Sequence, residues 1–229
     1  MGKTNCNIEI ESVMKVLNDT KAGLPLAQDV LIDLGNTIFA NWNECCYVMG
    51  WLSELKRADL YTFDHSINVG LYSMLLANWI GLSDEEIYRA TQAGLLHDIG
   101  KVKVNNKVLN KKDRLTDEEF EEIKLHTVHG FNIIKDTDCI SYDVKKTILM
   151  HHERLDGSGY PIKSKSHMIN IYTKIVAITD VYDAMTSDRV YKSRVSSNKA
   201  FEMFRTTGAN LFDTNIVGAF IKNISDYNL

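Results

Sequence analysis

Ala93-Gly94-Leu95-Leu96-His97-Asp98-Ile99-Gly100-Lys101 runs an apolar stretch into a His-Asp pair and closes at once with glycine and lysine. The apolar part reads as the buried side of a helix, and Gly100 as the breaker that ends it. Adjacent helical residues point about 100° apart, so His97 and Asp98 can share a metal only near a helix end. Imidazole and carboxylate together can hold a divalent ion, and a lysine three residues on can meet a phosphate. A His-Asp dipeptide is common in surface turns, so its weight depends on what flanks it.

Upstream, Tyr61-Thr62-Phe63-Asp64-His65-Ser66 opens a long helix whose apolar residues Val69, Tyr72, Leu75, Leu76 and Trp79 keep helical spacing. Gly81 ends it, and Ser83-Asp84-Glu85-Glu86 forms a capping box for the helix that delivers His97. Residues 1–56 read as amphipathic helices broken at Gly23-Leu24-Pro25, a helical cap or dimer surface without chemistry of its own. Downstream, Lys101 to Arg114 is locally basic. Most of its lysines suit a solvated loop, although a phosphate ligand would gain from it. Thr116-Asp117-Glu118-Glu119 is a second capping box, starting a helix through Phe120, Ile123 and Leu125 that presents His126 and His129.

A further helix, Ser141 to Met150, leads into His151-His152-Glu153 and the glycine loop Arg154-Leu155-Asp156-Gly157-Ser158-Gly159-Tyr160-Pro161. Its glycines permit sharp turns, and Tyr160 offers a stacking face and a hydroxyl. Ile169 to Met185 is a helix bearing Asp180 and Asp183. Arg189, Tyr191, Lys192 and Arg194 follow as a cationic and aromatic run, and helices near 197–206 and 213–224 close the chain.

The totals agree with a helical globular chain. Of 229 residues, 45% are hydrophobic and 24% charged, and only two are proline. A net charge of −4 argues against a nucleic-acid polymer or a membrane surface as partner. No apolar run approaches the roughly 20 residues of a membrane span. Cys6, Cys45, Cys46 and Cys139 lack CxxC spacing and suit reduced thiols, hence a cytoplasmic location.

Five of the seven histidines fall at helix ends or beside a loop, together with Asp98 and Asp180. Seven nitrogen and oxygen donors are too many for one tetrahedral zinc and suit two six-coordinate ions, with iron or manganese favoured by the absence of thiolate. Two such ions can activate water and stabilise charge at phosphorus.

In these segments the chain resembles the HD-GYP phosphodiesterases, a branch of the HD metal hydrolases. The likeness runs from about 59 to 220, through His65, Leu95-Leu-His97-Asp98-Ile-Gly-Lys101, His126-Thr-Val-His-Gly130, His151-His-Glu-Arg-Leu-Asp-Gly-Ser-Gly-Tyr-Pro161 and Asp180-Val-Tyr-Asp183. It implies an all-α helical bundle over 57–229, with 1–56 as a helical extension. It also implies hydrolysis of cyclic di-GMP to linear pGpG and often onward to GMP. By matching position, His65, His97, Asp98 and Asp180 would hold one metal, and Asp98 would bridge to a second held by His126, His151 and His152. His126 is preferred over His129 on family spacing. Lys101 would meet the scissile phosphate and the departing oxygen, with Asp98 sharing the catalytic role. Tyr160, Asp183, Arg189 and Lys192 would contact substrate. Tyr61 stands where some relatives carry a glutamate for a third metal, so two ions are expected. Lys174 replaces a frequent arginine, a modest change in packing or charge pairing. The rival readings are a silent module that senses a cyclic dinucleotide or docks partners, and a hydrolase of another, hybrid cyclic nucleotide. A second copy of the chain or other signalling proteins are the remaining candidate partners.

Overall fold

The computed structural model describes residues 63–109, 111, 113–138, 140–187 and 194–225, and every regular element among them is helical. The expected extension 1–56, its boundary, and Tyr61 lie outside the described residues. In chain order the helices are α1 (Phe63–Trp79), α2 (Asp84–Leu96), α3 (Asn106–Leu109), α4 (Asp117–Lys124), α5 (His126–Ile134), α6 (Tyr142–Met150), α7 (Ile171–Thr186), α8 (Ser197–Arg205) and α9 (Thr214–Ser225). Short 3-10 turns span Ile99–Lys103 and Ser166–Met168. The all-α expectation holds. No helix among the described residues is long and apolar enough to cross a membrane.

Local chemistry sets the ends. Gly81 takes the left-handed conformation at φ 78° just past α1, which a side chain would resist. At the start of α2, Glu86 accepts from the Ser83 amide at 2.9 Å and from its hydroxyl at 2.7 Å. Before α4 the box is reciprocal: Glu119 accepts from the Thr116 amide at 2.7 Å, and the Thr116 hydroxyl accepts from the Glu119 amide at 3.3 Å. Ser141 and Asn170 cap α6 and α7 in the same manner.

Helix α1 is apolar on nearly all sides, so it lies at the centre and is buried from Ser66 to Ala77. It packs on α2, α7 and α9. Tyr72, Tyr182 and Phe220 interlock edge to face across α1, α7 and α9, with ring centroids 4.9 to 6.2 Å apart. A smaller apolar cluster joins Val69 of α1, Leu96 of α2, Ile134 of α5, Ile148 of α6 and Val176 of α7.

Two glycines let α1 and α2 cross in backbone contact. A Cβ on Gly94 would stand 2.8 Å from the Gly70 Cα and from the Val69 carbonyl oxygen. That closeness brings the His65 and His97 rings to 5.1 Å, centroid to centroid.

Two sequence expectations are corrected. Gly100 does not end α2. The helix stops at Leu96, and Gly100 lies inside the first 3-10 turn, where a Cβ would come within 1.9 Å of the His126 carbonyl oxygen and 2.4 Å of the Gly130 nitrogen. The glycine is there because two backbones touch. Nor does one helix carry Phe120 through His129: α4 ends at Lys124, and α5 starts at His126. The side chains of His126 and Thr127 take the carbonyls of Ile123 and Lys124, at 2.7 and 3.0 Å, and so occupy the last acceptors of α4.

Candidate metal centre

Three histidines stand just past a helix C-terminus, where the last carbonyls lack intrahelical donors. The His97 Nδ1 lies 2.7 Å from the Gly94 oxygen, that of His126 2.7 Å from Ile123, and that of His151 2.9 Å from Ile148. A carbonyl can only accept, so each Nδ1–H donates and each Nε2 keeps a lone pair. His65 is held by a side chain instead: its Nδ1 is 2.8 Å from Asp183 Oδ2.

The free edges of these rings converge on two carboxylates. His65 Nε2 is 3.2 Å from Asp180 Oδ1 and 3.5 Å from Asp98 Oδ2, while His97 Nε2 is 3.3 Å from Asp98 Oδ2 and 3.9 Å from Asp180 Oδ1. The other oxygen of Asp98 is 3.4 Å from His126 Nε2, and His152 Nδ1 is 3.9 Å from Asp180 Oδ2. His126 Nε2 and His151 Nε2 face each other at 3.2 Å. With both Nδ1 atoms protonated, that contact sets lone pair against lone pair. His97 Nε2 likewise faces carboxylate oxygens and is buried without a hydrogen bond. Such acceptor-to-acceptor contacts need a cation between them, so the donor set fits a metal. Among the described residues two groups are compact enough to hold an ion: His65, His97 and Asp98, and His126, His151 and His152. His129 belongs to neither.

The electrostatics are those of a buried, polarised cluster. Burial works against the charge of Asp98, yet Lys101 and His97 hold its carboxyl well below the usual range. Asp180 is lowered in the same way, against burial, by His65 and His97. Burial opposes the imidazolium of His65, but the hydrogen bonds to Asp180 and Asp183 outweigh it and raise its pKa to about 9. Burial keeps His126 and His151 neutral and takes His152 down to about 3.

Lys101 pairs with Asp98 across one turn, its ammonium in contact with Oδ2 and partly open to solvent. Tyr160 lies at the rim, its ring 4.7 Å from that of His152, and the Lys124 ammonium stands 5.5 Å from the Tyr160 ring centroid. Asp183 is placed differently from a ligand contact. It is buried, and its oxygens accept from His65, from Asn68 Nδ2 at 2.9 Å and from Ser187 Oγ at 2.9 Å. Both of its oxygens are engaged inside the fold. Arg189 and Lys192 lie outside the described residues. Sequence reasoning assigned no role to Asn68 or Glu153. A buried amide one turn after His65, and an acid directly after a double histidine, were the available signals.

Residues 48–216 match the HD domain family. The chain is 34% identical over 222 residues to the cyclic di-GMP phosphodiesterase PA4108 of Pseudomonas aeruginosa, covering 97% of this chain and 53% of that protein. It is 37% identical over 180 residues to a cyclic di-GMP phosphodiesterase of Thermotoga maritima, covering 78% of this chain and 48% of that one. The chain therefore spans about half the length of these curated relatives. Among solved structures it resembles Bd1817, a HDG"Y"P protein from Bdellovibrio bacteriovorus. The TM-score is 0.73 at 15% identity, over 96% of this chain and 70% of that one, a likeness of fold.

Proposed function

The chain belongs to the HD domain family, and from that premise we propose that it is a metal-dependent phosphodiesterase that opens cyclic di-GMP to linear pGpG. The observation that carries the reading is the convergence of imidazole lone pairs and carboxylate oxygens on one buried cluster beside Lys101. In this reading His65, His97, Asp98 and Asp180 would hold one divalent ion, and His126, His151, His152 and Asp98 would hold another. An all-nitrogen-and-oxygen donor set favours iron or manganese over the soft thiolate metals. When bound, the ions supply Lewis acidity toward phosphoryl oxygens and acidify water.

The chain's own residues do the rest. Asp98 stays ionised under Lys101 and His97, so it is ready as a bridging ligand without first losing a proton. Lys101 reaches the open side of the cluster, where its ammonium can neutralise a phosphate oxygen and give a proton to the departing 3′ oxygen. Water adds to phosphorus, the P–O3′ bond breaks, and the products are a 5′-phosphate and a free 3′-hydroxyl. Tyr160 at the rim offers its ring and hydroxyl to the dinucleotide.

The test is turnover of cyclic di-GMP by anaerobically prepared, manganese- or iron-loaded protein, followed by chromatography. Linear pGpG should accumulate with metal and not after chelation. Binding without product would favour the silent sensing module. Product from a hybrid cyclic dinucleotide alone would favour the other hydrolase.

A further inference from the structure

Glu153 directly follows His151 and His152 and is only 2% exposed. Its carboxylate accepts three backbone N–H groups: Ile162 at 2.7 Å and Lys163 at 3.0 Å on Oε1, and Ser164 at 2.9 Å on Oε2. A buried carboxylate is costly without such donors, and three charge-assisted bonds offset much of that cost. Both oxygens face backbone donors, and the residue belongs to neither compact donor group. All three donors lie just beyond Tyr160-Pro161. The carboxylate thus ties the returning arm of the glycine loop to the segment that carries two of the histidines.

The outgoing arm is seated on the same segment. The Tyr160 amide donates to the His152 carbonyl at 3.3 Å, and a Cβ on Gly159 would come within 2.4 Å of the Glu153 Cα. Lys163 sits in the left-handed region at φ 58°, a conformation costly for a side chain, and its N–H is one of the three that Glu153 holds. Between these attachments the Tyr160 ring rests on His152.

We propose that Glu153 is a positioning residue for the substrate: it fixes Tyr160 at the rim of the metal centre, and through Tyr160 it sets the grip on the cyclic dinucleotide. This rests on the phosphodiesterase reading. Glu153→Gln keeps the shape but replaces one acceptor with an NH2 group that meets a backbone N–H. In the full chain it should raise KM for cyclic di-GMP about 10-fold, change kcat less than about threefold, and leave metal content at the wild-type level. Tyr160→Ala should raise KM similarly, and the double variant should be no worse than the worse single one. Hydrogen exchange at the 162–164 amides of the metal-free variant should quicken about 10-fold, reporting the lost tether without substrate or metal. Additive KM effects, an unchanged KM, unchanged exchange or lost metal would each overturn the proposal. A wild type that binds cyclic di-GMP without turnover overturns the phosphodiesterase reading alone, and the dissociation constant then replaces KM in the same cycle.

Discussion

Asp183 does for His65 what backbone carbonyls do for His97, His126 and His151. It accepts a hydrogen bond from the Nδ1–H and leaves the other nitrogen facing the cluster. Asn68 and Ser187 hold Asp183 in turn. Partners of this kind set ring orientation, and their loss typically costs about 10- to 100-fold in metal affinity. Asp183→Ala should weaken metal binding by that order in competition with a chromophoric chelator. Unchanged metal affinity with weakened dinucleotide binding would restore Asp183 to the substrate contact that its sequence position suggests. The candidate ligands were legible because histidines at helix ends stand out against apolar spacing. The role of Asp183 was not, since a helical acid one turn from Asp180 carries no mark of which way it points. Which nitrogen of each ring is free was also illegible, because it depends on a carbonyl three residues upstream.

At the scale of elements, the site is held where backbones touch. Gly70 against Gly94 fixes α1 on α2, and Gly100 against His126 and Gly130 fixes the turn bearing Lys101 on α5. In Gly100→Ala the added methyl meets backbone rather than the yielding end of a side chain, so the turn and α5 must part. Overpacking of this kind costs about 1–3 kcal/mol, and urea unfolding should show at least the upper half of that range. A loss within about 0.5 kcal/mol, the range of a neutral surface change, would mean that the contact is slack. The helices and capping boxes were legible because their signals are local. The purpose of Gly100 was not, since it depends on backbone distant in sequence, and neither was the break at Leu125, since helical spacing does not show that the His126 and Thr127 side chains turn back onto the carbonyls before them. For Lys174 the choice between packing and charge pairing was not legible either, since its mate Asp213, whose carboxylate lies 3.0 Å from the ammonium, is 39 residues away.

For the whole molecule, the buried cluster links stability to pH and to metal. Without metal, His65 titrates at about 9, because its bonds to Asp180 and Asp183 overcome burial, against 6.5 for an ordinary histidine. A raised folded pKa gives stabilisation that is full below 6.5 and lost as pH rises through 9. Denaturant unfolding of the metal-free protein should therefore show about 2 kcal/mol less stability at pH 9 than at pH 7. Bound metal should flatten that slope by taking the proton's place, and metal-free stability that is level or rising over the interval would contradict the assignment. The all-helical architecture was legible throughout the described residues from periodicity and scarce proline. The sequence pattern could not show how closely the donors from α1, α2, α5, α6 and α7 would meet. The central claim is that Asp98 bridges two halves of one metal centre, and metal content per chain tests it most directly. Wild-type protein loaded and desalted anaerobically should carry about two divalent ions, the number two compact donor groups can hold, and Asp98→Ala should lose both metal and activity. Full metal content in Asp98→Ala would show that the bridge is misplaced.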